Sequence, residues 1–192
     1  MKQEILQTAL VQFANEGYEG ASLGKIADAV GIKKPSIYAH YAGKDELFLS
    51  ALTYALERER SHLAGYFKEM KEEPLENLLR GYFNWFIQDL EGNDHMKFIL
   101  RTMYFPPARL ENEIGELINP LFDSMHRHFT RVMRERERRE NILYSDDFSS
   151  CALAFITVIE GTITELVYSG EAAYLKRYEA VWPIFWRGLV RS

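Results

Sequence analysis

The sequence predicts an all-α protein of about nine helices, in which a three-helix N-terminal domain precedes a larger helical body. Apolar residues recur three and four positions apart through most of the chain, which is the period of an amphipathic helix. Gly and Pro residues interrupt these stripes at intervals typical of helix ends. No segment alternates with the two-residue period of a strand, and no internal repeat is present.

Composition and length are those of an ordinary globular domain. Of the 192 residues, 47% are hydrophobic and 27% charged, so the chain can bury a sizeable core. Cys151 is the only cysteine, which excludes a disulfide framework and fits a reducing compartment. The longest strongly apolar run, 151–159, is far shorter than the roughly 20 residues that span a bilayer, and residues 1–4 begin no secretory signal. We therefore expect a cytoplasmic protein with no membrane partner.

The most informative stretch of the chain is 22–48, which predicts two short helices joined by a tight turn. Ser22 is a favourable N-cap for the first helix, whose apolar stripe extends from Leu23 to Val30. Gly31 follows the last residue of that stripe, as is typical of a helix C-terminus. Pro35 then suits the first turn of a second helix. This arrangement is typical of a helix-turn-helix whose second helix enters the major groove of DNA.

In that second helix, the spacing directs Ile37 and Tyr41 inward. The remaining residues are available to solvent or to a partner: Lys33, Lys34, Ser36, Ala39 and His40, with Tyr38 between the two faces. An isolated helical hairpin with solvated lysines has the same pattern, so the spacing alone does not establish DNA binding.

Residues 6–48 resemble the DNA-binding region of the TetR family of bacterial transcriptional regulators, with QacR-type ligand-responsive repressors as the most similar type. The resemblance rests on eighteen matching residues at fixed spacing, namely Ala9, Phe13, Gly17, Tyr18, Ser22, Ile26, Ala27, Gly31, Lys34, Ser36, Ile37, Tyr38, His40, Tyr41, Lys44, Asp45, Leu47 and Phe48. It implies a DNA-binding domain at 1–46 and a ligand-binding and dimerisation domain at 47–192. It covers about a quarter of the chain.

The resemblance also implies roles for individual residues in contact with DNA. Base edges would be reached by Lys34, Pro35, Ser36, Ala39 and His40, while Ser22, Tyr38 and Lys44 would hold phosphates. Lys25 and Lys33 complete the candidate DNA-binding set. The serine, glycine and second tyrosine common in the family are replaced here by Lys33, Pro35 and Ala39, so the operator sequence does not follow from the family.

The charge balance weakens the DNA-binding interpretation. The chain carries a net charge of -5, and residues 1–48 hold five lysines against six acidic residues. DNA-binding domains are usually basic. The lysines nevertheless concentrate on 25–44, so we expect salt-sensitive binding of modest electrostatic strength.

The remainder of the chain predicts six or seven longer helices. Their expected ranges are 44–70, 75–91, 95–105, 109–139 with a weak point at 119–120, 145–168, and 172–190 with a kink at Pro183; the first helix is expected at 2–16. The last two helices carry more apolar surface than one core requires. Together with the resemblance, this predicts a homodimer through about 145–190.

A candidate site for a small hydrophobic or aromatic ligand lies in the larger domain. Large apolar pockets are typically lined by aromatic and Met side chains. The candidates are Trp85, Met96, Met103, Tyr104, Phe122, Met125, Phe129 and Phe155, together with Glu160, a carboxylate within an apolar run that would attract a lipophilic cation, face solvent or cross a subunit boundary. Tyr82, Phe83 and Phe86 lie on a regular stripe and are interpreted as core.

The sequence indicates no catalytic motif and no cofactor site. It indicates no metal site either, because His126 and His128 are two residues apart and point in different directions on a helix.

The sequence and the family resemblance predict a homodimeric repressor that a hydrophobic or aromatic inducer releases from a palindromic operator. Two alternatives remain. One is a nucleoid-associated or co-regulator protein without an inducer, and the other is a helical small-molecule carrier or enzyme that has lost DNA binding.

Overall fold

The computed structural model describes residues 1–90 and 92–191, without the side chain of residue 89, and this part of the chain is all-α as predicted. It contains no strand, and only an isolated bridge joins Leu143 to Val190. The helices are α1 (Lys2–Gly20), α2 (Leu23–Val30), α3 (Lys34–Tyr38), α4 (Lys44–Glu69), α5 (Leu75–Leu90), α6 (Asp94–Tyr104), α7 (Glu111–Glu140), α8 (Phe148–Ser169) and α9 (Glu171–Leu189), with 3-10 turns at Met70–Glu72 and Ala108–Leu110.

A glycine interrupts the first helix, whereas two prolines lie inside continuous helices. Gly17 interrupts α1 with φ 73° and ψ 179°, and one further turn then continues to Gly20 beyond the expected end. In contrast, α7 runs through Pro120 and α9 through Pro183. Both prolines are exposed, and a helix tolerates the lost hydrogen bond best on its solvent side.

The chain forms two compact units. The first unit comprises 1–65 and 89–121, and the second comprises 66–88 and 122–192. In the first unit, α6 packs along α1. Phe98 of α6 stacks on Phe13 of α1 and meets Phe48 of α4 edge to face, with ring centroids 5.8 and 5.1 Å apart. The predicted functional boundary at residue 46 stays a prediction.

The second unit has an aromatic interior between α5, α7, α8 and α9. Phe155 of α8 meets Phe129 of α7 with ring centroids 4.9 Å apart and Phe83 of α5 at 5.8 Å. The hydroxyl of Tyr174 donates to the carbonyl of Phe83 at 3.0 Å, which joins α9 to α5. Phe83 is buried, and so are Tyr82 and Phe86 on the same helix.

The apolar character of α8 exceeds what the chain itself buries. Within the described residues it is the one helix long and apolar enough to cross a membrane by length and composition alone. Only 39% of its most apolar 18-residue stretch is buried within the chain. Leu153 and Tyr168 are among its exposed residues, at 49% and 60% exposure.

Replacement of Gly17 tests the break in α1. A Cβ at this position would lie 2.8 Å from Nε of Arg101, and its φ of +73° is strained for any side chain. We expect Gly17→Ala to lower the free energy of unfolding by about 1–3 kcal/mol in urea denaturation. Gly115→Ala is the matched control, because its Cβ would meet only Asn119 Nδ2 at 3.8 Å inside α7 and should be neutral or stabilising. Equal effects of the two substitutions would contradict the strain argument.

Candidate nucleic-acid interface

The helix α2 is bounded as its sequence predicts. Ser22 accepts a hydrogen bond from the backbone N–H of Lys25 at 3.2 Å, which satisfies a free donor of the first turn. Gly31 adopts the left-handed conformation at φ 77°, and the N–H of Ile32 returns to the carbonyl of Ala27 at 3.0 Å. Both ends of α2 are therefore capped, and the cap at Gly31 determines the direction of the turn that leads into α3.

The short helix α3 is held by two buried anchors. Ile37 and Tyr41 are 0% and 2% exposed, as the spacing predicted. Burial raises the pKa of the Tyr41 hydroxyl, and its aromatic ring lies 5.5 Å from Nζ of Lys2. Because the anchors point inward, the other face is free: Lys33, Lys34, Pro35, Ser36, Tyr38 and Ala39 are exposed and His40 is half-buried.

The lysines predicted to contact DNA differ in their surroundings. Lys33 and Lys34 are exposed, and no described acidic side chain forms an ion pair with them. Lys25 instead pairs with Glu16 at 2.5 Å and donates to the carbonyl of Gly20 at 3.3 Å. A phosphate would have to compete with Glu16 for Lys25, so its predicted role in DNA binding is weaker than that of its neighbours.

A cluster of charges surrounds Tyr18 at the start of α4. Nζ of Lys44 lies 4.2 Å from the centre of the Tyr18 ring, and the guanidinium of Arg109 lies 4.9 Å from it. The Tyr18 hydroxyl and the Arg109 guanidinium both donate to Oδ1 of Asp45. Glu46 accepts from the backbone N–H of Ala42 at 2.5 Å. These carboxylates are therefore engaged within the unit, which reduces their repulsion of a phosphate.

Sequence reasoning missed Arg109 and gave Tyr18 no role in the interface. Arg109 follows α6 and lies 64 residues from Asp45 in the chain. No local pattern connects positions so far apart. In the sequence, Tyr18 is only one of the residues that match the family. Its contact with Lys44 depends on the break in α1 at Gly17.

The candidate ligand residues divide between the two units. Met96, Met103 and Tyr104 belong to α6 in the first unit, where Met96 is buried and the other two are half-buried. The others belong to the second unit: Trp85, Phe122, Met125, Phe129, Phe155 and Glu160. Their assignment to a ligand stays a prediction.

Within the second unit, these candidates occupy different depths. Phe129 and Phe155 are fully buried and share the interior with Tyr82, whose ring centroid lies 5.5 Å from that of Phe129. Trp85 is half-buried and stacks on Tyr82 at 5.4 Å. Phe122 and Met125 are also half-buried on α7. The set therefore extends from the interior to the surface.

Glu160 lies on the exposed face of α8, with Leu153, Thr157 and Tyr168. Partial burial raises the pKa of its carboxyl above the ordinary range. Of the three environments considered for Glu160, this position favours a subunit boundary or solvent over the interior of its own chain.

Comparisons with known proteins agree with this geometry. Residues 5–51 match the family described as bacterial regulatory proteins, tetR family. The chain is 27% identical over 172 residues to the nucleoid occlusion factor SlmA of Vibrio cholerae, covering 88% of this chain and 84% of that protein.

Two solved structures share the fold at low identity. A putative transcriptional regulator from Saccharomonospora viridis in complex with choline has a TM-score of 0.77 and 15% identity, with 100% of this chain and 98% of that chain covered. The transcriptional regulator FadR from Bacillus subtilis in complex with stearoyl-CoA has a TM-score of 0.69 and 16% identity, with 98% and 100% covered. The match to residues 5–51 and the helix-turn-helix of α2 and α3 together identify a TetR-family DNA-binding domain at the N-terminus, and the chain as a whole shares the fold of these transcriptional regulators.

Proposed function

We propose that the protein is a homodimeric repressor that binds a palindromic operator and is released by a small hydrophobic or aromatic molecule. The observation that carries this proposal is the exposed face of α3, which presents Lys33, Lys34 and Ser36. The preceding helix α2 has a defined cap at each end, at Ser22 and at Gly31. The TetR-family match of the same segment supports it.

Charge and burial assign complementary roles on DNA. Lys34 and Ser36 lie on the exposed side of α3 and reach base edges in the major groove. Lys44, at the start of α4, neutralises a phosphate, and Ser22 and Tyr38 add phosphate contacts that set the register. Lys25 contributes less because Glu16 already neutralises it.

The dimer interface is proposed to be the exposed apolar face of α8 with α9. Leu153 and Tyr168 on α8 and Ile184 on α9 are exposed by 49%, 60% and 73%. Apolar patches of this kind are usually covered by a partner in soluble proteins. A second copy related by a two-fold axis would form a four-helix bundle and place two recognition helices on one face of DNA.

Coupling between ligand and DNA is proposed to pass through α4, the helix that begins at Lys44. Its start is held within the first unit, where Phe98 of α6 touches both Phe13 and Phe48 and Arg109 binds Asp45. A ligand in the larger domain that shifts α4 would change the separation of the two recognition helices. Ligand and DNA would then weaken each other reciprocally.

A second candidate function is favoured by one comparison. SlmA of Vibrio cholerae is a nucleoid occlusion factor and matches this chain over most of its length. A role in DNA binding at many chromosomal sites, without an inducer, is therefore the alternative. The two functions differ in how many sites the protein selects from its own genome and in whether a small molecule releases it.

Selection of genomic DNA fragments by the purified protein tests the proposal directly. We expect a palindrome with half-sites 34–36 Å apart, or about one helical turn. Lys34→Ala should weaken binding to it by roughly 1–3 kcal/mol per half-site and relax the sequence preference. Lys68→Ala is the matched control, because Lys68 is exposed on α4 outside the motif. Many dispersed sites would favour the nucleoid function, and diffuse, salt-labile binding would contradict both.

The role of Arg109 is tested by its removal. Arg109→Ala should weaken operator binding several-fold, because it leaves the Asp45 carboxylate uncompensated beside Lys44. Adding Asp45→Asn should restore part of the affinity, measured by fluorescence anisotropy at fixed salt. Unchanged affinity of Arg109→Ala would show that the ion pair does not act on the DNA-binding end of α4.

A charge on the exposed face of α8 tests the dimer. Leu153→Arg should convert the dimer to a monomer in analytical ultracentrifugation and abolish binding to the palindrome, while leaving the helical content unchanged. Asn112→Arg introduces the same charge at an exposed position on α7 and should leave the dimer intact. A dimeric Leu153→Arg protein would place the interface elsewhere.

A further inference from the structure

The interior of the second unit contains an aromatic cluster, defined here as Tyr66, Phe67, Tyr82, Trp85, Phe129 and Phe155. Its rings are in contact in a continuous network. Tyr82 is central, with ring centroids 5.4 Å from Trp85, 5.5 Å from Phe129 and 6.1 Å from Phe155. Phe67 joins the network at 5.2 Å from Phe129.

His128 is a polar ring set against this cluster. Its centroid lies 3.9 Å from that of Phe67. Its Nε2 is buried, and no described group of the chain lies within hydrogen-bond distance. Leaving a buried polar atom without a hydrogen-bond partner is unfavourable, so apolar packing alone does not explain a histidine at this position.

Neighbouring polar groups in the same unit are satisfied within the chain. The Tyr66 hydroxyl donates to the carbonyl of Leu78 at 2.5 Å, and the Tyr174 hydroxyl to the carbonyl of Phe83 at 3.0 Å. His126 places its Nε2 3.0 Å from the hydroxyl of Ser149. The two histidines of α7 thus point in different directions, as predicted, and only one of this pair has a described protein partner at Nε2.

The position of His128 on α7 connects the cluster to the surface. Phe122, Met125 and His128 are three residues apart in succession, so they lie along one side of the helix. All three are half-buried, whereas Phe129 beside them is fully buried. Two of these residues were predicted to line a ligand site from their chemistry alone. A molecule entering along this side would reach His128 and Phe67 together.

The charge state of His128 limits what it binds. Burial and the nearby Arg131 lower the pKa of His128, and Glu135 offsets this only in part. The imidazole is therefore neutral near pH 7. A ring nitrogen of a neutral imidazole either accepts a hydrogen bond from a hydroxyl group or donates one to a hydroxyl or carbonyl oxygen. A neutral ring offers no counter-charge to an ionic ligand.

We propose that His128 is the polar anchor of a ligand site in the aromatic cluster, and that the ligand is an uncharged, flat apolar molecule with one hydrogen-bonding group, such as a phenol or an aryl ketone. This deepens the proposed function by naming the ligand class. The aromatic rings supply the apolar contact, and Nε2 of His128 fixes the orientation.

A pair of probes of the same shape tests the anchor. 2-Naphthol and 2-methylnaphthalene differ only in a hydroxyl against a methyl group. In equilibrium dialysis with the full chain, we expect 2-naphthol to bind about 5–10-fold more tightly, as one hydrogen bond to a buried group provides. His128→Leu, similar in size but apolar, should remove this preference. His126→Phe should retain it, because His126 faces Ser149.

Two outcomes of the probe experiment overturn the inference. An equal preference in the wild type and in His128→Leu would mean that a group other than His128 binds the hydroxyl. Failure of both probes to bind at their solubility limits would mean that no ligand of this class enters the cluster. Operator binding is measured separately, so a wild-type protein that binds DNA but shows no preference for 2-naphthol rejects the anchor alone. A preference without DNA binding rejects only the proposed repressor.

Discussion

The contact of Phe98 with Phe13 and Phe48 is the constraint on which the first unit depends. Three rings from α6, α1 and α4 meet at centroid distances between 4.9 and 5.8 Å, and all three are almost fully buried. Aromatic pairs of this geometry add about 0.5–1.5 kcal/mol each beyond the burial of their area. The DNA-binding helices therefore cannot rearrange without α6, although α6 lies 50 residues further along the chain.

The electrostatics of the DNA-binding face follow from the same packing. The first 48 residues are not basic overall, yet the carboxylates of Glu16 and Asp45 are each paired with a cation inside the unit. Lys33 and Lys34 remain exposed on α3. A weakly acidic domain can thus present a locally positive surface, because salt screens distant charges over about 10 Å and leaves the nearest lysines to act on a phosphate.

Local patterns in the sequence were sufficient for most of the fold. The N-cap at Ser22, the left-handed Gly31 and the inward Ile37 and Tyr41 all depend on neighbours within a few residues, and the structure has each of them. Contacts between distant residues were beyond this reasoning. The pairing of Arg109 with Asp45 and the packing of α6 on α1 join segments with no common periodicity.

The candidate ligand site could be predicted only by residue type, for a related reason. Aromatic and Met residues suit a pocket and a core equally well, so composition does not distinguish Phe129, which is fully buried, from Phe122, which is half-buried. His128 was considered only as half of a poor metal pair. Its significance lies in the Phe67 ring and in the satisfied groups around it, and these belong to other helices.

One helix carries residues of both proposed sites. Lys44 and Asp45 begin α4 at the DNA-binding face, and Phe67, which touches His128, lies near its other end. In the proposed mechanism, a ligand beside His128 would contact α4 at Phe67, on the same helix that begins with Lys44. Tight binding of the ligand alone would not release the protein from DNA. A ligand shifts the equilibrium between two positions of α4 only by the difference in its affinity for them.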